Sequence, residues 1–126
     1  IYSYPPIGTP DGGAHVTAGD LEQFLRSAQA GKLLGPQSTR QFFTPQVFNR
    51  SSQAFDRYYG FGLEFFLDKK TRKVIAYQKD GQNKGVSGIL RHLVEPGITI
   101  VLLSNLEEGV WEPIWKVHDQ ILEEVQ

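Results

Sequence analysis

Two kinds of hydrophobic spacing divide the chain. Between Thr17 and Gly31, Leu21, Phe24, Leu25 and Ala28 recur at the three- and four-residue intervals of one helical face. Thr17-x-x-Asp20 opens that run in the form of a capping box, with Asp in place of the usual Glu or Gln. Gly31 supplies a stop. A second, shorter helix is predicted from Gly35-Pro36 through Phe42-Phe43, closed by Pro45. Residues 1–13, with Pro5, Pro6, Pro10 and three glycines, predict a loop, and the polar stretch Asn49–Asp56 predicts another.

From Arg57 the texture becomes that of strands. Tyr58–Leu67 is aromatic and β-rich, and Lys73–Gln78 is a second short strand across the charged turn Lys69-Lys70-Thr71-Arg72-Lys73. Val86–Val94 is a third strand, turned at Glu95-Pro96-Gly97. Ile98–Leu103 is almost wholly aliphatic, the pattern of a strand covered on both faces. Short connections make these neighbours antiparallel. After Gly109, Trp111, Ile114, Trp115, Val117, Ile121, Leu122 and Val125 give a final helix a broad apolar face for the sheet, with Pro113 tolerable in its first turn. Glu123 and Glu124 end it as a solvated tail, since a helix C-terminus disfavours negative charge. The expected class is α+β: residues 1–56 form a helical segment with loops, and residues 57–126 form an antiparallel sheet of three or more strands with a C-terminal helix packed on it.

Composition narrows the function. A chain of 126 residues with 40% apolar side chains suffices for one modest core. Its net charge of −1 removes the electrostatic footprint of a nucleic-acid binder. The absence of Cys excludes disulfides, thiolate metal sites and Cys nucleophiles. No apolar run is long enough to span a bilayer. His15, His92 and His118 lack metal-ligand spacing, so no metal site is expected of them. Gly12-Gly13 is followed by no phosphate-loop Lys-Ser/Thr, and Asn49-Arg50-Ser51 matches a glycosylation acceptor only as a short pattern open to chance.

The remaining chemistry lies in short motifs that occur in a fixed order. Lys79-Asp80-Gly81 sits between two predicted strands, six residues ahead of Gly85-Val86-Ser87. Gly12-Gly13-Ala14-His15-Val16-Thr17-Ala18-Gly19-Asp20-Leu21 and Tyr59-Gly60-Phe61-Gly62-Leu63 precede it, and Val101-Leu102-Leu103-Ser104-Asn105 follows. Together they resemble the C-terminal part of the serine β-lactamase-like hydrolases, the superfamily of class C β-lactamases, penicillin-binding proteins, esterases and D-aminopeptidases.

That resemblance implies a partial β-lactamase/transpeptidase-like fold, no metal or organic cofactor, and a set of roles. Lys79 would place positive charge beside a nucleophile, and Gly81 would let substrate lie against the strand edge. The main-chain N–H of Gln82 would be an oxyanion donor. Asp80, Gly85 and Ser87 would face substrate, the alternative for Asp80 being an ion pair with Lys79 or Lys84 and no catalytic duty. Asp80 departs from the family's Ser or Thr: a carboxylate accepts hydrogen bonds but donates none, and it repels the carboxylate of a β-lactam. Ester, amide or peptide cleavage is therefore expected over β-lactam hydrolysis.

No Ser is followed three positions later by Lys, and neither Tyr-x-Asn nor Ser-x-Asn occurs. The nucleophile box is thus missing, and the chain alone is expected to be inactive. It starts at Ile1, not Met, which leaves room for an upstream segment. Expected partners are a small-molecule or peptide substrate, and either that missing N-terminal segment or a second copy joined through exposed sheet. The alternatives are a non-catalytic peptide- or cell-wall-binding module on the same fold, and an unrelated α+β domain in which Lys-Asp-Gly is accidental.

Overall fold

The computed structural model describes residues 12–124. Helices α1 (Ala18–Gln29) and α2 (Pro36–Phe42) lead into strands β1 (Val47–Ser51), β2 (Phe55–Tyr59), β3 (Glu64–Asp68), β4 (Val74–Asn83), β5 (Val86–Leu93) and β6 (Ile98–Ser104), and helix α3 (Trp111–Glu124) ends the chain. All neighbouring strands are antiparallel, and their order in the sheet is their order in the chain.

Local chemistry sets the helix ends. Thr17 Oγ1 accepts from the Asp20 N–H at 3.2 Å and the Asp20 carboxylate accepts from the Thr17 N–H at 2.8 Å, completing the capping box. The Thr17 main-chain and hydroxyl donors hold the Asp20 carboxyl below its ordinary value. Just beyond the last turn of α1, Gly31 takes φ +68°, the left-handed conformation that stops a helix. The loop predicted over residues 1–13 falls almost entirely outside the described residues.

Several strands differ from expectation. Asn49–Asp56 is a loop only over residues 52–54, because Val47–Ser51 is β1 and Phe55 opens β2. Every β1 side chain is exposed, so this strand has no alternation to betray it; it is held by pairing Val47 with Tyr59 and Phe48 with Tyr58. The sheet therefore begins inside the segment expected to be helical. Tyr58–Leu67 is two strands, broken where Gly60 N–H reaches Leu63 O at 2.8 Å and Gly62 takes φ +98°. A Cβ on Gly60 would lie 2.6 Å from the Phe65 ring and 3.1 Å from Thr44 O. The charged turn is a hairpin tip as expected. Asp68 Oδ1 there accepts from the N–H groups of Lys70 and Thr71, and Arg72 returns to pair with Asp56.

The two faces of the sheet carry separate cores. Phe66, Ala76, Ile89, Leu93 and Ile100 meet Val110 and Ile114 under α3. Phe65, Leu67, Tyr77 and Leu90 meet Leu25 of α1, with Phe42 of α2 and the capping Phe43 beside them. Strand alternation allots these residues, since Tyr77 and Phe65 project opposite to Ala76 and Phe66. β6 falls short of the predicted double coverage: Leu103 is 47% exposed.

Two histidines join helices to strands. His92 lies against the Tyr77 ring at a tilt, accepts at Nε2 from the Gln29 amide and meets Thr99 Oγ1 at 2.9 Å through Nδ1. His118 of α3 accepts at Nδ1 from the Arg91 guanidinium at 3.1 Å. Burial holds both below the ordinary 6.5, and Arg91 adds to the effect at His118.

Truncating Leu25 or Ile114 to Ala, each almost wholly buried on its own face, is expected to cost about 2–5 kcal/mol. The two cores share no residue, so the costs should add to within about 0.5 kcal/mol in urea titrations of the double variant. Strong non-additivity would show the two layers to be one. Both histidines bind fewer protons folded than unfolded, so stability present above 6.5 falls as pH drops through their folded values. The urea midpoint should therefore be lower at about pH 5 than at pH 7, and the His92→Gln/His118→Gln double variant should flatten the profile. A flat profile in the unsubstituted chain would contradict this account.

Candidate functional site

The arrangement of strand β4 builds the site. Its first half is paired on both sides, to β3 through Glu64↔Gln78 and to β5 through Gln78↔Arg91. β3 begins at Glu64, so from Lys79 to Asn83 the strand has β5 on one side and, among the described residues, no strand on the other. Alternate main-chain groups of an antiparallel strand point to opposite sides, so some N–H and C=O groups of this half turn toward the open edge.

At that edge lies a cavity of about 480 Å³. Lys79 and Asp80 line it from β4, Glu64 from β3, Arg57 and Tyr59 from β2, and Gly60, Gly62 and Leu63 from the turn between them. Gly81 continues the edge, and a Cβ there would meet nothing within 4 Å. Lys79 is exposed and lies on the α1 side of the sheet, whereas Asp80, one residue on, lies on the α3 side with Gln78.

A polar chain runs along the cavity wall, from Arg57, Glu64, Gln78 and Asp80 to the buried Arg91 behind it. Arg57 Nη1 donates to Glu64 Oε1 at 3.3 Å, and the Gln78 amide nitrogen donates to Glu64 Oε2 at 2.8 Å and to Asp80 Oδ2 at 3.0 Å. Gln78 Oε1 accepts two N–H bonds from Arg91, at 2.9 and 2.6 Å. Because a guanidinium only donates and these carboxylates only accept, the orientation of the Gln78 amide is fixed by its partners. Arg91 is 1% exposed and lies over the Trp115 ring at 4.1 Å and Phe66 at 5.3 Å. Burial, with repulsion from Arg57, lowers its pKa to about 10 against the pull of Glu64 and Asp80. No buried side-chain polar atom among the described residues lacks a partner.

The expected site residues separate into two groups. Lys79, Asp80, Gly81 and Gln82 are together on the open half of β4, and their pairing with Leu90, Ile89, Gly88 and Ser87 sets the Gly-Val-Ser motif beside them. The Gln82 side chain turns to α3 and accepts from the Trp111 indole at 3.1 Å. Gly85 takes φ +77° in the turn that joins β4 to β5. Ser87 is 2% exposed, with its hydroxyl donated to Leu106 O at 2.8 Å, so it anchors the loop before α3 and does not face the cavity. Among the described residues no three His, Asp or Glu side chains gather as metal ligands.

Arg57, Glu64, Gln78 and Arg91 were not singled out from the sequence. The available signal was a charge inside an otherwise apolar or aromatic strand, as in Gly88-Ile89-Leu90-Arg91-His92-Leu93. Such a residue is either on an exposed face or paired within.

The comparisons with known proteins agree with this architecture. No curated protein matches the chain. A penicillin-binding protein of known structure from Bacillus halodurans is similar, with 26% sequence identity and a TM-score of 0.83 over 94% of this chain. The chain spans 35% of that protein's length. The family model described as Beta-lactamase matches residues 2–119, and with Lys79-Asp80-Gly81 on a strand that carries the rim of a cavity, the chain belongs to the Beta-lactamase family of serine hydrolase folds.

Proposed function

We propose that this chain supplies the Lys-x-Gly side of a serine acyl-transfer site, with the nucleophile coming from a Ser-x-x-Lys segment outside these 126 residues. The observation that carries the reading is the half-open strand: β4 runs on past β3 from Lys79, beside the cavity. Acyl transfer needs a donor aimed at charge that appears only in the transition state, and a strand edge offers one without reorganisation. In this reading the Gln82 main-chain N–H binds the developing oxyanion. Lys79 adds positive charge next to the attacking Ser hydroxyl. Gly81 keeps the edge low so that an acyl group can lie along it.

Turnover would pass through an acyl-enzyme: the Ser oxygen bonds to the substrate carbonyl, the leaving alcohol or amine departs with a proton, and water then releases the acid. The substrate is an ester, amide or peptide, with Asp80 disfavouring β-lactams because they carry a carboxylate. Alone, the chain has the donor and the cation but no nucleophile. The similarity to a penicillin-binding protein almost three times as long supports a division of the site between this chain and further sequence.

The 126-residue chain is expected to hydrolyse neither p-nitrophenyl acetate nor a chromogenic cephalosporin above the buffer rate. In a polypeptide that also carries Ser-x-x-Lys, Lys79→Ala should lower kcat by about 10²–10³. Gly81→Val separates site from scaffold: open space around Gly81 predicts a stability change within about 0.5 kcal/mol, with a loss of activity similar to that of Lys79→Ala. Turnover by the chain alone, or full activity in Lys79→Ala, would overturn the reading.

A further inference from the structure

The carboxylates at the cavity are not equivalent. Glu64 has both oxygens engaged, one by Arg57 and one by Gln78. Asp80 accepts from Gln78 through Oδ2, and the ion pairs among the described residues include Glu64 but not Asp80. Gln78 is itself 4% exposed and held from behind by two Arg91 N–H groups, so the bond to Asp80 comes from a fixed donor. Asp80 is thus oriented by the scaffold while it lines the cavity.

The cations around it are disposed differently. Arg57 is committed to Glu64, Lys79 lines the same cavity from the other face of the strand, and Arg91 is sealed beneath Gln78. Arg50 stands exposed on the far wall, on β1. The group next to the reacting edge is an acceptor with negative charge. It complements a donor with positive charge and opposes an anion.

We propose that Asp80 determines specificity by charge: the site takes an ester, amide or peptide that bears an ammonium group near the scissile carbonyl, and rejects one that bears a carboxylate there. This rests on the Lys79–Gln82 edge being the reacting edge. Asp80 then binds the substrate ammonium directly, and Gln78 is a positioning residue that acts through it. A Thr or Ser at 80 would offer a hydroxyl donor and reverse the preference.

Binding tests this without turnover. The ¹⁵N-labelled 126-residue chain is titrated with alaninamide, a cation at neutral pH, and with N-acetylalanine, an anion. Alaninamide is expected to shift the amides of residues 79–82 and to bind about fivefold tighter than N-acetylalanine, with the difference shrinking in high salt. Asp80→Asn, nearly isosteric, should abolish the preference, and Asp80→Thr should turn it toward N-acetylalanine; dispersion of the same spectra reports that each variant is folded. Absence of shifts at 79–82 with alaninamide, equal binding of the two probes, or a preference that survives Asp80→Asn would each overturn the proposal. Failure here leaves the Lys79 result standing, and full activity of Lys79→Ala would leave the binding preference intact.

Discussion

The structure depends on one asymmetry in strand pairing. Main-chain N–H and C=O groups in a sheet must find partners, and a strand with neighbours on both sides has none to offer a ligand. Among the described residues β4 is such a strand up to Gln78 and ceases to be one at Lys79, because β3 begins opposite Gln78 and the chain before it turns away through Gly60–Leu63. The turn is enforced by Gly60, which lies too close to Phe65 and Thr44 for any side chain. A packing constraint on one strand pair thus leaves the edge of the next one open.

The open half would be a weak point without support from below. Gln78 sits at the last doubly paired position and joins three strands: β3 through Glu64, β4 through Asp80 and β5 through Arg91. Arg91 then reaches α3 through His118 and Trp115. A buried guanidinium is costly to desolvate, and this one has neutral acceptors and ring faces as its direct partners. Its expense is consistent with a role in fixing geometry at the edge, since an apolar residue would pack there more cheaply.

Much of this was legible in residue order. The capping box, the apolar stripes of α1 and α3, the aliphatic β6 and the charged hairpin tip follow from local chemistry, and the structure has them. Lys79-Asp80-Gly81 is on a strand edge beside Gly85-Val86-Ser87, as the motif order implies. β1 was not legible, because a strand exposed on both faces leaves no period-two signal. The polar chain from Arg57 to Arg91 was hidden for another reason. Its members lie on four strands, and only register brings them together. Ser87 misled for the same reason: motif position put it at the site, while alternation turned its hydroxyl inward to Leu106.

The most direct test of the central claim is the crystal structure of an acyl-enzyme, formed by a polypeptide that carries both this chain and a Ser-x-x-Lys segment. The account predicts the acyl carbonyl oxygen at hydrogen-bond distance, about 2.7–3.1 Å, from the main-chain nitrogen of Gln82, with the acyl group along the open edge at Gly81. An acyl group bound away from β4, or a carbonyl oxygen held by other donors while the Lys79–Asn83 edge stays vacant, would contradict it.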